Sequence, residues 1–139
     1  LGARGILLTK FASAVPPALS PQVHHCAYAP FRQLLPQCGA IVHHGGIGTT
    51  AAALASGCPQ LVLPLAWDQP DNAARVARLG AGLTLGSRHR DQAGLSQALE
   101  RLRAPEFGRR CREIAVQARS EDGLACAASW LEEWAAGRH

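Results

Sequence analysis

The sequence predicts an α/β domain, a Rossmann-like parallel sheet flanked by helices. Three observations carry this. Short aliphatic and β-branched runs alternate with stretches of helical apolar spacing up to about residue 90, the pattern of βα units. From Asp91 onward the period is helical throughout. The chain has 139 residues, 47% of them hydrophobic, which suffices to bury one core.

Gly5 to Thr9 reads as the first strand and, after a proline-rich loop, Val23 to Tyr28 as the second. Pro30 suits the first turn of a short helix over Phe31 to Leu35, where its missing N–H is not needed. Gly39 to His43 forms a short apolar strand, and the glycine-rich His44-Gly45-Gly46-Ile47-Gly48 leads into a helix from about Thr49 to Ser56. Gly57 suits a left-handed cap for that helix. Gln60 to Pro64 is a buried strand, Asp71 or Asn72 caps a helix running to Leu79, and Gly82 to Leu85 is the last strand. Beyond it, Leu95, Leu99 and Leu102 share one helical face, and Phe107, Cys111, Ile114 and Ala118 share another. Asp122-Gly123 opens a final helix carrying Leu124, Ala127, Trp130, Leu131 and Trp134.

Composition narrows the function. No apolar run is long enough to span a membrane, and the N-terminal segment lacks the features of a signal peptide. The chain contains no methionine and begins with Leu1, which predicts a piece of a longer polypeptide. The net charge of +4 comes from arginines scattered from Arg4 to Arg138, with a single lysine, Lys10. The local group Arg109-Arg110-Cys111-Arg112 sits among helix formers beside Glu106 and Glu113, so it reads as a solvated helix face rather than a nucleic-acid surface. Arginine and alanine enrichment fits a GC-rich, bacterial coding bias. Five cysteines without a C-x-x-C pair suggest reduced thiols in a cytoplasmic protein.

The glycine loop carries the chemistry. The first amides of a helix have no intrahelical partner and sit at the positive end of its dipole, so a glycine-rich strand-to-helix turn admits a phosphate to bare backbone. Thr49 and Thr50 can add hydroxyls and His44 an imidazole N–H, although such a loop can also be only a tight turn with Thr49 as its cap. The P-loop is excluded, because its lysine is missing. Gly46-Ile47-Gly48-Thr49-Thr50-Ala51 matches the dinucleotide fingerprint, with Asp68 as the ribose acid. Against that, two strand-like runs precede it, and Asp68 lies in the loop Trp67-Asp68-Gln69-Pro70-Asp71-Asn72 rather than at a bare strand end.

The series His43-His44-Gly45-Gly46-Ile47-Gly48-Thr49-Thr50, Gly57-Cys58-Pro59-Gln60, Pro64, Asp68-Gln69-Pro70 and Asn72-Ala73 resembles the donor-binding signature of nucleotide-sugar-dependent glycosyltransferases of the two-domain GT-B fold. That class includes UDP-glucuronosyl, sterol and macrolide or glycopeptide glycosyltransferases. Tyr28-Ala29-Pro30-Phe31 falls where the family has its base-binding strand end, and Arg119-Ser120-Glu121-Asp122-Gly123 resembles its closing helix boundary.

The resemblance implies that residues 1–139 are part of the C-terminal donor-binding domain, with the N-terminal acceptor domain and its general base missing. It also implies an inverting transfer from a nucleotide-diphosphate sugar, expected to be a UDP-sugar, with no cofactor and no metal. By position, His44, Gly46, Ile47, Gly48 and Thr49 contact the donor diphosphate; Tyr28 and Ala29 flank the base; Asp68 and Gln69 hold the sugar. No catalytic residue is expected in this stretch. In plant members an acidic residue eight positions after the motif histidine binds ribose, and Ala52 stands there, which leaves UDP against TDP open.

The other conspicuous residues have plainer readings. His24, His25, Cys26, Cys38, His43 and His44 lack the spacing of a zinc site, and His43 reads as a packed residue behind the loop. Trp130 and Trp134 suggest core or an interdomain seam, while Trp67 reads equally as packing or as acceptor-side lining. The expected partners are the sugar donor and the acceptor domain, in cis or as a separate chain; nucleic acid is not expected. The expected location is cytoplasmic, peripheral to the membrane if the missing domain docks there. The alternatives are a non-catalytic donor-binding subunit of a split glycosyltransferase and an NAD-type dinucleotide-binding domain.

Overall fold

The computed structural model describes residues 2–120 and 122–137, so Leu1, Glu121, Arg138 and His139 lie outside it. Its strands are β1 (Gly5–Leu8), β2 (Val23–Cys26), β3 (Ile41–His43), β4 (Gln60–Val62) and β5 (Gly82–Thr84). Every pairing is parallel. β1 pairs with β2 in one ladder, and β4 lies between β3 and β5 in a second, three-stranded sheet.

Side chains alternate across a strand, so β4 shows why helices cover both faces of its sheet. Leu61 packs with Ala98 and Leu102 of α4 (Gln92–Leu102), whereas Val62 packs with Ala73 and Val76 of α3 (Gln69–Arg78) and with Cys111 and Ile114 of α5 (Pro105–Ser120). Both are fully buried, worth roughly 2 kcal/mol apiece from apolar area alone. A third cluster, Leu35, Ala53 and Cys58, joins α1 (Phe31–Leu34) and its following turn to α2 (Ile47–Ser56). Where β5 crosses β4, a Cβ at position 82 would lie 2.1 Å from the Gln60 carbonyl, so only glycine fits there.

Several boundaries move from their expected places. β2 stops at Cys26, whose thiol donates to the Tyr28 carbonyl and helps turn the chain. Pro30 is the N-cap of α1 rather than its first helical residue. α2 begins at Ile47, so Thr49 lies inside its first turn and the capping position belongs to Gly46. Gly57 does close α2 in the left-handed conformation, φ 74°. α3 begins at Gln69 behind Asp68, and neither Asp71 nor Asn72 caps it: Asp71 pairs with Arg75, and Asn72 is engaged elsewhere. On α5 the inward residues are Cys111, Ile114 and Ala115, while Ala118 is exposed.

The arginine cluster is only partly a solvated face. Arg109 and Arg110 both bind Glu113, but the Nε of Arg110 also donates to the Leu79 carbonyl at the end of α3. The Nε of Arg119 donates likewise to Ala55 in α2. The final helix, α6 (Gly123–Ala135), is capped by Asp122 through Ala125 N–H and buries no residue. Its Leu124, Trp130, Leu131 and Trp134 are 67–85% exposed, so of the two readings for Trp130 and Trp134, core or interdomain seam, the core one is not met among the described residues.

Candidate functional site

The site is built where β3 passes into α2 and β4 into α3. Gly45 has φ 96°, a left-handed value that favours glycine, and a Cβ there would meet the Val62 side chain at 2.8 Å and the Gln69 carbonyl at 3.2 Å. Its peptide groups are gripped from two sides. The Nδ1 of His43 accepts the Gly45 N–H at 3.1 Å, and the Nδ2 of Asn72 donates to the Gly45 carbonyl at 2.9 Å.

His43 must then carry its proton on Nε2, which donates to the Gln60 Oε1 at 3.0 Å. Burial holds its pKa below the usual imidazole value, aided by the neighbouring His44 and opposed by the Gln60 bond. Gln60 is fully buried, and its Nε2 has no partner among the described residues. An unmade bond of that kind costs about 1–3 kcal/mol. The loop behind the site is thus held by a histidine whose far side rests on a buried, half-satisfied amide.

Beyond Gly45 the chain presents donors outward. Gly46 caps α2 with no side-chain hydrogen bond, and the first helical bond runs from Thr50 N–H to the Gly46 carbonyl. The amides of Ile47, Gly48 and Thr49 therefore sit at the positive end of the helix without an intrahelical acceptor. A Cβ on Gly46 would lie 2.7 Å from His44 Nε2, so the exposed imidazole of His44 lies over the Gly46 Cα. A Cβ on Gly48 would meet nothing within 4 Å. Thr50 is not available as a donor, because its buried hydroxyl bonds inward to the Gly46 carbonyl. Ala52 packs against the Leu35 cluster.

The β4–α3 loop forms the second wall. Asp68 stands at the head of α3, and its Oδ2 accepts from Asn72 Nδ2 at 2.8 Å. Gln69 is 6% exposed, and its Oε1 accepts the N–H groups of Leu65 and Ala66. That carbonyl shapes the loop, which leaves the Gln69 NH2 as the part able to reach a ligand. The Nη2 of Arg90 donates to the Pro64 carbonyl at 2.6 Å and fastens the start of the same loop. Trp67 has φ 56°, the only positive φ outside glycine among the described residues, and is 89% exposed. Its indole buries almost nothing against the described residues.

The structure therefore ties the loop that carries His44, Gly46, Ile47, Gly48 and Thr49 to Asp68 through Asn72, which bonds Gly45 and Asp68, with Gln69 next to Asp68 at the head of α3. Tyr28 and Ala29 stand on a separate ladder's end: Tyr28 is 78% exposed, and no hydrogen bond links either residue to the glycine loop among the described residues. The sequence offered Asn72 only as a helix cap and gave Gln60 and Arg90 no part in positioning the site. For Asn72 a signal existed, a polar residue four positions after Asp68 and so on the same helical face. No group of three or more His, Cys, Asp or Glu side chains converges as a metal site among the described residues, and no described helix is long and apolar enough to cross a membrane.

Comparison with known proteins gives the family. Residues 7–126 match the family described as erythromycin biosynthesis protein CIII-like, C-terminal domain. The elloramycin glycosyltransferase ElmGT of Streptomyces olivaceus is 46% identical over 102 residues, covering 73% of this chain and 25% of its own length. Aklavinone 7-beta-L-rhodosaminyltransferase of Streptomyces galilaeus is 43% identical over 95 residues, covering 68% and 21%. Among solved structures, the spinosyn forosaminyltransferase SpnP superposes with a TM-score of 0.80 at 29% identity, over 96% of this chain and 34% of that one. The glycosyltransferase VinC in complex with DTDP superposes at 0.69 and 36% identity, over 74% and 26%. The chain thus spans about a fifth to a third of the length of these relatives. The chain belongs to the erythromycin biosynthesis protein CIII-like C-terminal domain family, the donor-binding half of glycosyltransferases with the GT-B architecture.

Proposed function

We propose that this chain binds the nucleotide-diphosphate sugar of an inverting glycosyltransferase, with a pyrimidine nucleotide, UDP or TDP, as the donor's carrier. The observation that carries the proposal is the uncapped start of α2 under His44, tied through Asn72 to the Asp68 carboxylate. When an acceptor hydroxyl displaces the diphosphate at the anomeric carbon, negative charge grows on the leaving group. The amides of Ile47, Gly48 and Thr49, the helix dipole and the His44 imidazole meet that charge already oriented, so little reorganisation is needed. Asp68 accepts from sugar hydroxyls through the carboxylate oxygen that Asn72 does not use, and the Gln69 NH2 donates to them. Tyr28 and Ala29 flank the base, and Trp67 lines the acceptor side.

The acceptor and the general base belong to a second domain, in the same polypeptide or in a separate chain. The relatives' length, about three times that of this chain, and the exposed apolar side chains of α6 support that division. A DTDP-bound relative supports a pyrimidine nucleotide. The test is titration of the 139-residue chain with UDP, TDP, GDP and NAD, followed by backbone amide NMR. UDP or TDP should bind and shift the amides of residues 46–49. Binding of none of them, or tighter binding of NAD, would refute the proposal.

A further inference from the structure

We infer that Asn72 is a positioning residue, whose side-chain amide makes the diphosphate loop and the sugar-holding carboxylate one unit. This rests on the donor-site reading above. Its Nδ2 donates to the Gly45 carbonyl at 2.9 Å and to Asp68 Oδ2 at 2.8 Å, so both amide protons are committed, one to each wall of the site. Asn72 is 7% exposed, and it reaches Gly45 across 27 positions of sequence.

The chemistry demands this side chain. Bridging two oxygen acceptors needs two protons fixed in one plane: serine has one, aspartate has none at neutral pH, and glutamine is a methylene longer in a packed place. The two acceptors differ in burial. Gly45 is buried, so its carbonyl loses a partner that water cannot easily replace, and of the two side-chain bonds on its peptide groups only the one from His43 remains. Asp68 is exposed, so its carboxylate stays hydrated but loses its fixed orientation. Removing Asn72 should therefore disturb both diphosphate and sugar, whereas removing Asp68 should disturb the sugar alone.

The ratio of the Kd for UDP to the Kd for UDP-glucose, or the TDP pair if the chain prefers it, isolates what the sugar contributes. Asp68→Ala should lower that ratio about tenfold and leave UDP affinity within about twofold. Asn72→Ala should lower the ratio equally and also weaken UDP about tenfold, and the double variant should reduce the ratio no further than either alone. An Asn72→Ala protein that melts earlier but keeps the wild-type ratio would overturn the inference, as would a double variant that loses twice. If the wild-type chain binds no nucleotide diphosphate, the donor-site reading fails instead, and the two failures are told apart. Should Asn72→Ala not fold, the wild-type side-chain amide decides: its two Nδ2 protons should give separate, shifted NMR signals, and Asp68→Ala should move one of them. Equal movement of both, or of neither, would overturn the coupling.

Discussion

Gly45→Ala separates the demands of the backbone from those of the ligand. The left-handed φ of 96° costs an alanine about 1–2 kcal/mol. The added Cβ meets Val62 at 2.8 Å in the fully buried central strand and the Gln69 carbonyl at 3.2 Å, and overpacking of that kind costs typically 1–3 kcal/mol. Alanine's smaller unfolded-state freedom returns about 0.4–1 kcal/mol. The net loss is about 1–4.5 kcal/mol, centred near 3 and a large fraction of the roughly 5–15 kcal/mol that holds a domain together. Gly48→Ala is the control: its Cβ enters open space inside a helix, so it should be neutral or stabilise by up to about 1 kcal/mol. Urea unfolding of both variants measures the difference. If Gly45→Ala unfolds within about 1 kcal/mol of wild type, the reading of the loop as a locked element is wrong.

Three further outcomes are expected. His43 is held neutral in the fold below its free value of 6.5, so the unfolded chain binds the extra proton and stability should fall as pH drops through that value; His43→Asn should flatten this slope while leaving an acceptor for Gly45 N–H. A urea midpoint that does not move between pH 7.5 and 5.5 would count against it. Burial pushes the Cys58 thiol up to about 12, so alkylation followed by peptide mapping should label exposed Cys126 first and Cys58 only on unfolding; early labelling of Cys58 would contradict the packing. Trp67→Asn should raise stability by about 0.5–1 kcal/mol, since asparagine tolerates φ 56° and the indole buries almost nothing; a loss of that size would mean the ring is packed.

What was legible in the sequence was local. The continuous apolar run of β4, the glycine cap at Gly57 and the glycine loop before α2 each follow from a few neighbouring residues, and each stands where expected. Capping was misread at α3 because Asn72 has the right chemistry for a cap but spends it on Gly45, which neighbours it only in the folded chain. Thr49 missed the capping position for the related reason that glycine can end a loop with no side-chain bond. The left-handed Trp67 has no sequence signal, since its conformation is imposed by the loop that Gln69 and Arg90 fasten. The amphipathic pattern of α6 predicted a helix correctly, but periodicity says nothing about which chain covers it.

The way arginine is used here bears on behaviour in salt. Arg90, Arg110 and Arg119 each end on a main-chain carbonyl, of Pro64, Leu79 and Ala55, where a strand or helix would otherwise leave it to water. Such bonds act at contact distance, so ions that screen charges beyond about 8–10 Å barely reach them. A chain of net charge +4 should therefore keep its fold from dilute buffer to concentrated salt, and lysine, lacking the planar fork, would be a poor replacement at these three places.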